Sequence, residues 1–211
     1  MSIAEKLHTI AENEQRVYEA GKAYGETVGK KAQYDEFWDS FQWNGTRTDW
    51  NNGFYGKGWN DVTYNPKYPI APGAGNTGNW LFSYSNVTDT KVSVDLSKTS
   101  SQNTFCYCYY LVTIRKMIVS ENTNFSMMFN ECRVLENLTI EGVIGTAIDI
   151  HWSTKLSKAS ITSVINALST TTSGLTATFS KTAVETAFGS TTSTEWLALV
   201  ATKSNWTISL A

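Results

Sequence analysis

The segment around His151 contains residue types that could do chemistry. Asp149 precedes His151 by two positions, and Ser153 follows it by two. An acid, an imidazole and a hydroxyl are the groups of nucleophilic catalysis, but they must lie within hydrogen-bonding distance of one another. If this segment is a strand, alternation puts Asp149 and His151 on one face with side chains about 7 Å apart. Because no sharp turn presents the serine, the spacing does not favour a catalytic triad.

The three cysteines do not have the spacing of a metal centre. Cys106 and Cys108 form a Cys-x-Cys pair, and Cys132 follows Cys108 by 24 residues. A structural zinc site uses four ligands, and no histidine lies within fifteen residues of these cysteines. An odd number of cysteines also cannot pair completely within one chain. We therefore expect no metal, no cofactor and no disulfide framework.

Other catalytic motifs are missing from the sequence. It contains no phosphate-binding loop, no dinucleotide-binding fingerprint and no His-Glu-x-x-His motif. Only 17% of the 211 residues are charged, and the net charge is −2. This balance gives no basic surface for nucleic acid or anionic lipid. We expect a non-enzymatic protein that does not bind nucleic acid.

Targeting signals are also missing. No segment reaches the roughly eighteen apolar residues that a membrane-spanning helix needs. Residues 1–30 carry charged side chains at close intervals and lack the apolar run of a secretory signal. We therefore expect synthesis in the cytoplasm and no membrane insertion.

The element that would position functional side chains is a repeat. Phe105-x-x-Cys108-x-x-Leu111-x-x-Ile114 recurs 24 residues later as Phe129-x-x-Cys132-x-x-Leu135-x-x-Leu138, and a degenerate copy begins at Phe82. A repeat of this length cannot bury its apolar face alone, but stacked copies form ladders of like residues. The pattern predicts a short leucine-rich-repeat β-solenoid over residues 80–150, with the repeated Phe, Cys and Leu side chains buried.

Three further regions flank the repeat. In residues 1–33, the apolar residues Ile3, Ile10 and Val17 recur every seven positions. This heptad fits either a helix packed on its own domain or a coiled coil that makes a homo-oligomer. Residues 34–79 are rich in Trp, Tyr, Phe, Gly and Asn, and we interpret them as an irregular aromatic cap with a short helix at Asp35–Phe41.

Residues 151–211 return to regular helix and strand patterns. The pattern predicts a helix capped by Ser157, a strand at Leu175–Phe179, helices at Thr182–Phe188 and Ser193–Thr202, and a strand at Trp206–Leu210. Open sheet edges at the end of a solenoid need a cover, so we interpret this region as a C-terminal helix-and-strand cap. The whole chain is then of the α+β class.

The repeat resembles the BspA-type leucine-rich repeats of bacterial surface proteins and phage-associated proteins. The segment Leu156–Leu168 and the ending Trp196–Leu210 look like the closing segments of such proteins in gut Firmicutes and their prophages. Asp35–Gln42 and Asn44–Thr48 are similar to the openings of the same proteins, some of which belong to phage tail modules. The resemblance implies a virion location and a role in tail structure or receptor binding.

Large side chains between the ladder positions form the candidate binding site. They are Tyr107, Tyr109, Tyr110, Met127, Met128, Arg133 and Trp152. Tyrosine offers a large amphipathic contact area with few torsions to fix, and adjacent exposed aromatics are typical of interaction surfaces. The alternative is that some of the tyrosines only cover the edge of the sheet.

The expected function is a non-enzymatic, tail-associated virion protein of a phage or prophage. Its partners would be a protein or glycan receptor on a host cell, or neighbouring virion subunits. The alternative is a bacterial adhesin or protein-interaction module at the cell surface. An adhesin normally carries a secretion signal and often wall-anchoring modules, and the sequence shows neither.

Overall fold

The computed structural model describes residues 33–39, 52–72, 78–98 and 100–211. The heptad pattern predicted in residues 1–33 therefore lies almost wholly outside the described residues. The elements in chain order are a helix at residues 33–39 (α1), β1 (Ser93–Asp95), β2 (Thr113–Val119), β3 (Asn137–Gly142), β4 (Ile148–Asp149), α2 (Lys158–Ala167), β5 (Leu175–Phe179), α3 (Lys181–Phe188), α4 (Thr194–Ala201) and β6 (Trp206–Leu210). The fold is α+β. No helix in these ranges is long and apolar enough to cross a membrane.

The strands of the described ranges form two separate three-stranded parallel sheets. The first has the order β1-β2-β3, and the second has the order β4-β5-β6. In the first sheet Thr113 lies opposite Asn137 and Ile114 lies opposite Leu138, which is the 24-residue offset of the sequence repeat. The repeat therefore sets the register where β2 and β3 begin, and after a register shift between Ile114 and Met117, Met117 lies opposite Ile140.

The turns that precede the strands of the first sheet stack in the same register. The Phe82 amide donates to the Thr104 carbonyl at 2.8 Å, and the Phe105 amide donates to the Met128 carbonyl at 3.1 Å. The Phe82 and Phe105 rings stack with centroids 5.3 Å apart, and Phe105 and Phe129 do so at 6.2 Å. The predicted burial of the repeated residues is confirmed for Phe105, Cys108, Leu111, Phe129, Cys132 and Leu135.

The predicted β-solenoid is nevertheless wrong, because the strands belong to two small sheets and do not continue as one repeating sheet. Helix α2 lies along the edge of β3, where a further repeat would place another strand. The Leu138 amide donates to Ser160 Oγ at 2.9 Å, and the Ile140 amide donates to Ser163 Oγ at 2.8 Å. Since side-chain hydroxyls satisfy these edge amides, the first sheet ends at β3.

The helices and strands predicted within residues 151–211 are confirmed. Ser157, Ser180 and Ser193 cap α2, α3 and α4 through their hydroxyl oxygens. A capping serine satisfies an amide that has no partner within the helix, which explains why each helix begins directly after it. Helix α3 begins at Lys181, one residue before the predicted start.

Aromatic side chains fill the space before the first repeat turn. Trp38, Phe54 and Tyr64 are buried, and their rings meet with centroids between 5.5 and 5.7 Å apart. The polar atoms of this cluster are satisfied: Trp38 Nε1 donates to the Thr63 carbonyl and the Tyr64 hydroxyl donates to the Thr90 carbonyl. The Phe54 and Phe82 ring centroids lie 5.0 Å apart, so the cluster is continuous with the phenylalanine stack.

We predict that Gly142→Ala destabilises the fold far more than Gly174→Ala. Both glycines have positive φ, +109° and +76°. A Cβ at Gly142 would lie 2.0 Å from the Val119 carbonyl oxygen, whereas a Cβ at Gly174 would meet open space. Gly174→Ala should lower the free energy of unfolding by about 1–2 kcal/mol through backbone strain alone. Gly142→Ala should cost about 1–3 kcal/mol more because of the clash. Urea denaturation of both variants measures the difference, and equal losses would contradict the packing of β3 on β2.

Candidate binding surface

Four tyrosines on three stacked turns form a continuous surface feature, here called the tyrosine row. It consists of Tyr55, Tyr84, Tyr107 and Tyr109. Successive ring centroids lie 5.4, 4.7 and 6.0 Å apart along the row. Tyr55 and Tyr109 are exposed, and the two central rings are half-buried between their neighbours. Because the central pair stacks at an interplanar angle of 21°, these two rings present mainly their edges to solvent.

The backbone places the two central tyrosines at the same point of consecutive turns. The Tyr84 amide donates to the Cys106 carbonyl at 3.1 Å, and the Tyr107 amide donates to the Asn130 carbonyl at 2.8 Å. Both residues adopt left-handed backbone conformations, with φ of 59° and 60°. This conformation costs an L-residue about 1–2 kcal/mol, and the hydrogen bonds between turns hold it in place.

The close packing of the row also affects the phenol group of Tyr84. Partial burial raises the pKa of Tyr84, and the nearby Tyr107 and Tyr55 raise it further. The Tyr84 hydroxyl therefore stays protonated at neutral pH, so it can both donate and accept a hydrogen bond. The tyrosine row is a surface of ring edges and hydroxyl groups.

A second group of predicted residues lies around Trp152. The Arg133 guanidinium lies 5.2 Å from the Trp152 ring centroid, and the His151 ring lies 4.8 Å from it. Arg133 Nε also bonds Glu131 Oε2 at 2.6 Å. This hydrogen bond raises the pKa of Arg133 and lowers the pKa of Glu131, so the pair is charged at neutral pH. Trp152 is half-buried beside these two neighbours.

The structure exposes most of the predicted site residues. Tyr109 is 42% exposed, Tyr110 58% and Met127 50%. Arg133 is also exposed, while Tyr107 and Trp152 are half-buried. Tyr107 and Tyr109 are in contact, as are Arg133 and Trp152, whereas Tyr110 pairs with no other aromatic ring within the described residues.

The prediction that Met128 belongs to the binding site is wrong, because its side chain is fully buried and cannot contact a partner. It occupies the turn position immediately before Phe129, and the corresponding residues of the two earlier turns, Thr104 and Leu81, are also fully buried. Cys106, which lies between the ladder positions Phe105 and Cys108, is buried as well. The residue before each ladder phenylalanine is therefore buried, whereas among the residues after them Ser83 and Cys106 are buried and Asn130 is half-buried.

Tyr55 and Tyr84 were not predicted as site residues. A signal for Tyr84 exists in the sequence, since it precedes Tyr107 by the same 23 residues that separate Phe82 from Phe105. Tyr55 carries no such signal. It lies in the aromatic-rich segment, where repeat spacing is lost.

A groove lies beside the exposed Met127. Its volume is about 450 Å³, and its lining includes Met127, Thr146, Asp149, Thr176 and Thr178. A smaller cavity of about 90 Å³, lined by Met127, Asn130, Asp149 and Trp152, adjoins it. Met127 and Trp152 thus share a cavity wall, which connects two of the predicted residues through space.

The prediction that the Asp149 and His151 side chains lie apart is wrong. His151 Nδ1 lies 2.6 Å from Asp149 Oδ1, and the His151 amide also donates to that oxygen at 3.1 Å. Strand β4 ends at Asp149, so His151 belongs to the following turn and not to an alternating strand. Ser153 is buried and donates to the Cys132 carbonyl at 3.1 Å. Its hydroxyl thus serves the backbone of an earlier turn.

The cysteines are buried thiols whose hydrogen bonds join successive turns. Cys108 Sγ donates to the Phe82 carbonyl and Cys132 Sγ donates to the Phe105 carbonyl, both at 3.0 Å. Burial raises the pKa of Cys108 to about 12 and raises that of Cys132 as well. A thiol of this kind is a poor nucleophile at neutral pH. No group of three His, Cys, Asp or Glu side chains within the described ranges could hold a metal ion.

No family model, curated protein or solved structure matches this chain. The similarity to BspA-type repeats thus stays a prediction from the quoted residues.

We predict that the Cys108 thiol makes the fold sensitive to alkaline pH. In the unfolded chain this thiol ionises near its ordinary pKa of 9.0, whereas in the folded chain it stays protonated until about pH 12. Stability is therefore fully present below pH 9 and is lost as the pH rises towards 12. At pH 10.5 the thiol should account for about 2 kcal/mol of lost stability. Urea denaturation at pH 7 and 10.5 should show a smaller loss in Cys108→Ala than in wild type, and equal losses would contradict the assignment.

Proposed function

We propose that this chain is a non-enzymatic virion protein of a phage or prophage tail, which contacts a host-cell receptor or a neighbouring virion subunit through the tyrosine row. The observation that carries the binding role is the row itself, with Tyr109 and the adjacent Tyr110 exposed at its end. The tail setting rests on the sequence resemblance described above.

The tyrosine row has the chemistry of a protein-contact surface. Tyrosine combines an apolar ring with a hydroxyl group, and it loses little side-chain entropy when it is fixed. In the row, stacking already holds the central rings before any partner arrives. Binding a partner would therefore cost less side-chain entropy than binding one through isolated tyrosines.

The strained backbone supports the same proposal. Glycine or asparagine would occupy the left-handed positions of Tyr84 and Tyr107 with less strain. Packing alone does not require large rings there, because the equivalent residue of the next turn is Glu131, which has φ of 62° and no aromatic ring. A contact outside the chain gives a reason for tyrosine at both positions.

The heptad pattern of residues 1–33, read as a coiled coil, has a place in this proposal. An oligomer formed through it would present several copies of the tyrosine row to one cell surface, which raises the overall affinity for a repetitive receptor. Ile3, Leu7, Ile10 and Val17 would form the contact.

The test is the double variant Tyr109→Ser/Tyr110→Ser, measured by binding to cell envelopes from candidate Firmicutes hosts and to purified tail proteins encoded by neighbouring genes. Both side chains are exposed, so the variant should fold normally by circular dichroism. We expect binding to fall at least about tenfold, the loss typical of a side chain central to an interface.

Tyr68→Ser is the matched control. Tyr68 is 41% exposed, nearly as much as Tyr109, but it lies outside the row. It should bind like wild type. A folded double variant that binds as tightly as the control would remove the row from consideration, and an unfolded double variant would show that the tyrosines serve the core.

A further inference from the structure

The second sheet ends in a strand that no described element covers. Strand β6 is the outermost strand of the order β4-β5-β6. It pairs with β5 without interruption, from Leu175 opposite Trp206 to Phe179 opposite Leu210. Its other edge therefore carries backbone groups that β5 does not bind.

The hydrogen bonds of Ala211 show which groups these are. The Ala211 amide donates to the Phe179 carbonyl at 3.0 Å, and the Ala211 carbonyl accepts from the Lys181 amide at 2.9 Å. The backbone N–H and C=O groups of Ala211 thus point towards β5. By alternation, the backbone groups of Thr207 and Ser209 point towards β5 as well. Ile208 and Leu210 then point their N–H and C=O groups away from the sheet. In the part of the chain that the structure describes, these groups have no hydrogen bond outside the sheet.

The edge of β6 also lacks the features that keep edge strands from pairing. The stretch from Ser204 to Ala211 contains no proline and no charged side chain, and its register with β5 has no bulge. Edge strands of monomeric proteins are commonly protected by such features. The edge of β3, by contrast, is closed by the hydroxyls of Ser160 and Ser163.

We propose that β6 is a dimerisation edge, which pairs antiparallel with β6 of a second copy about a two-fold axis at Ser209. In this arrangement Ile208 of each copy hydrogen-bonds Leu210 of the other, so each outward group finds a partner. A second copy is the fitting occupant because the strand is uncharged and pairing it with itself brings no like charges together. The two-fold axis also makes the same contacts on both copies, as an isologous interface requires.

The geometry specifies a disulfide test in the full-length chain. On the axis, the two Ser209 residues form a non-hydrogen-bonded antiparallel pair with Cα atoms about 4.5 Å apart, within the range of a disulfide. Two Thr207 residues would be separated by four residue steps, about 13 Å, which is too far. Thr207 is the more exposed of the two, so Thr207→Cys is a stringent control. The native cysteines are all buried and should not compete.

Under mild oxidation, Ser209→Cys should give a disulfide-linked dimer on non-reducing gels, while Thr207→Cys should stay largely uncrosslinked. Sedimentation of the wild-type chain should show a reversible self-association. Association through the heptad helix alone would raise the mass without selective linkage at Ser209. The proposal is overturned by any of three results: association without selective linkage at Ser209, equal linkage of both variants, or a monomeric wild type.

Discussion

The hydrogen bonds from β3 to two serines of α2 set the extent of the first sheet. An unpaired strand edge exposes amides that need a partner, and here Ser160 and Ser163 supply it. Ser160 Oγ also donates to the Glu136 carbonyl at 2.8 Å, so this one hydroxyl satisfies both an amide and a carbonyl of the sheet edge. Helix α2 thereby occupies the edge of β3 at which a further strand would otherwise pair.

The rest of the C-terminal region is arranged around this helix. Lys203, which is buried, donates from Nζ to the Asn166 and Leu168 carbonyls at the end of α2. Burial lowers the pKa of Lys203. The two carbonyls nevertheless stabilise its ammonium group, since they lie at the C-terminal end of a helix, where a cation is favoured. Helix α2 is thus fixed by β3 along its length and by Lys203 at its C-terminal end, and the second sheet forms beyond it.

Sequence reasoning identified the buried ladder because burial follows from side-chain type and spacing. The same spacing could not show where the sheet stops. That depends on Ser160 and Ser163, which in sequence are ordinary polar residues of an amphipathic helix. For the surface, Tyr109 and Tyr110 were predicted correctly as exposed, whereas Met128 was placed on the wrong side. The direction of a side chain in a turn depends on φ, as at Met127, where φ is 51°, and residue type does not reveal it.

The tyrosine row and the β6 edge use different parts of the molecule. The row lies on stacked turns, and the edge belongs to the second sheet. A dimer through β6 would therefore leave the row free and would double its number in one particle. Self-association and partner binding are compatible in this arrangement, and linked copies would gain avidity for a repetitive partner.

Hydrogen exchange of individual amides in the double variant Ser160→Ala/Ser163→Ala tests the edge closure most directly. Loss of about 1 kcal/mol per hydrogen bond should speed exchange at Leu138 and Ile140 by roughly fivefold, while exchange in β5 stays unchanged. Thr162→Ala, on the same helix, is the control and should leave both amides protected. Unchanged protection of Leu138 and Ile140 in the double variant would contradict the claim that these serines end the first sheet.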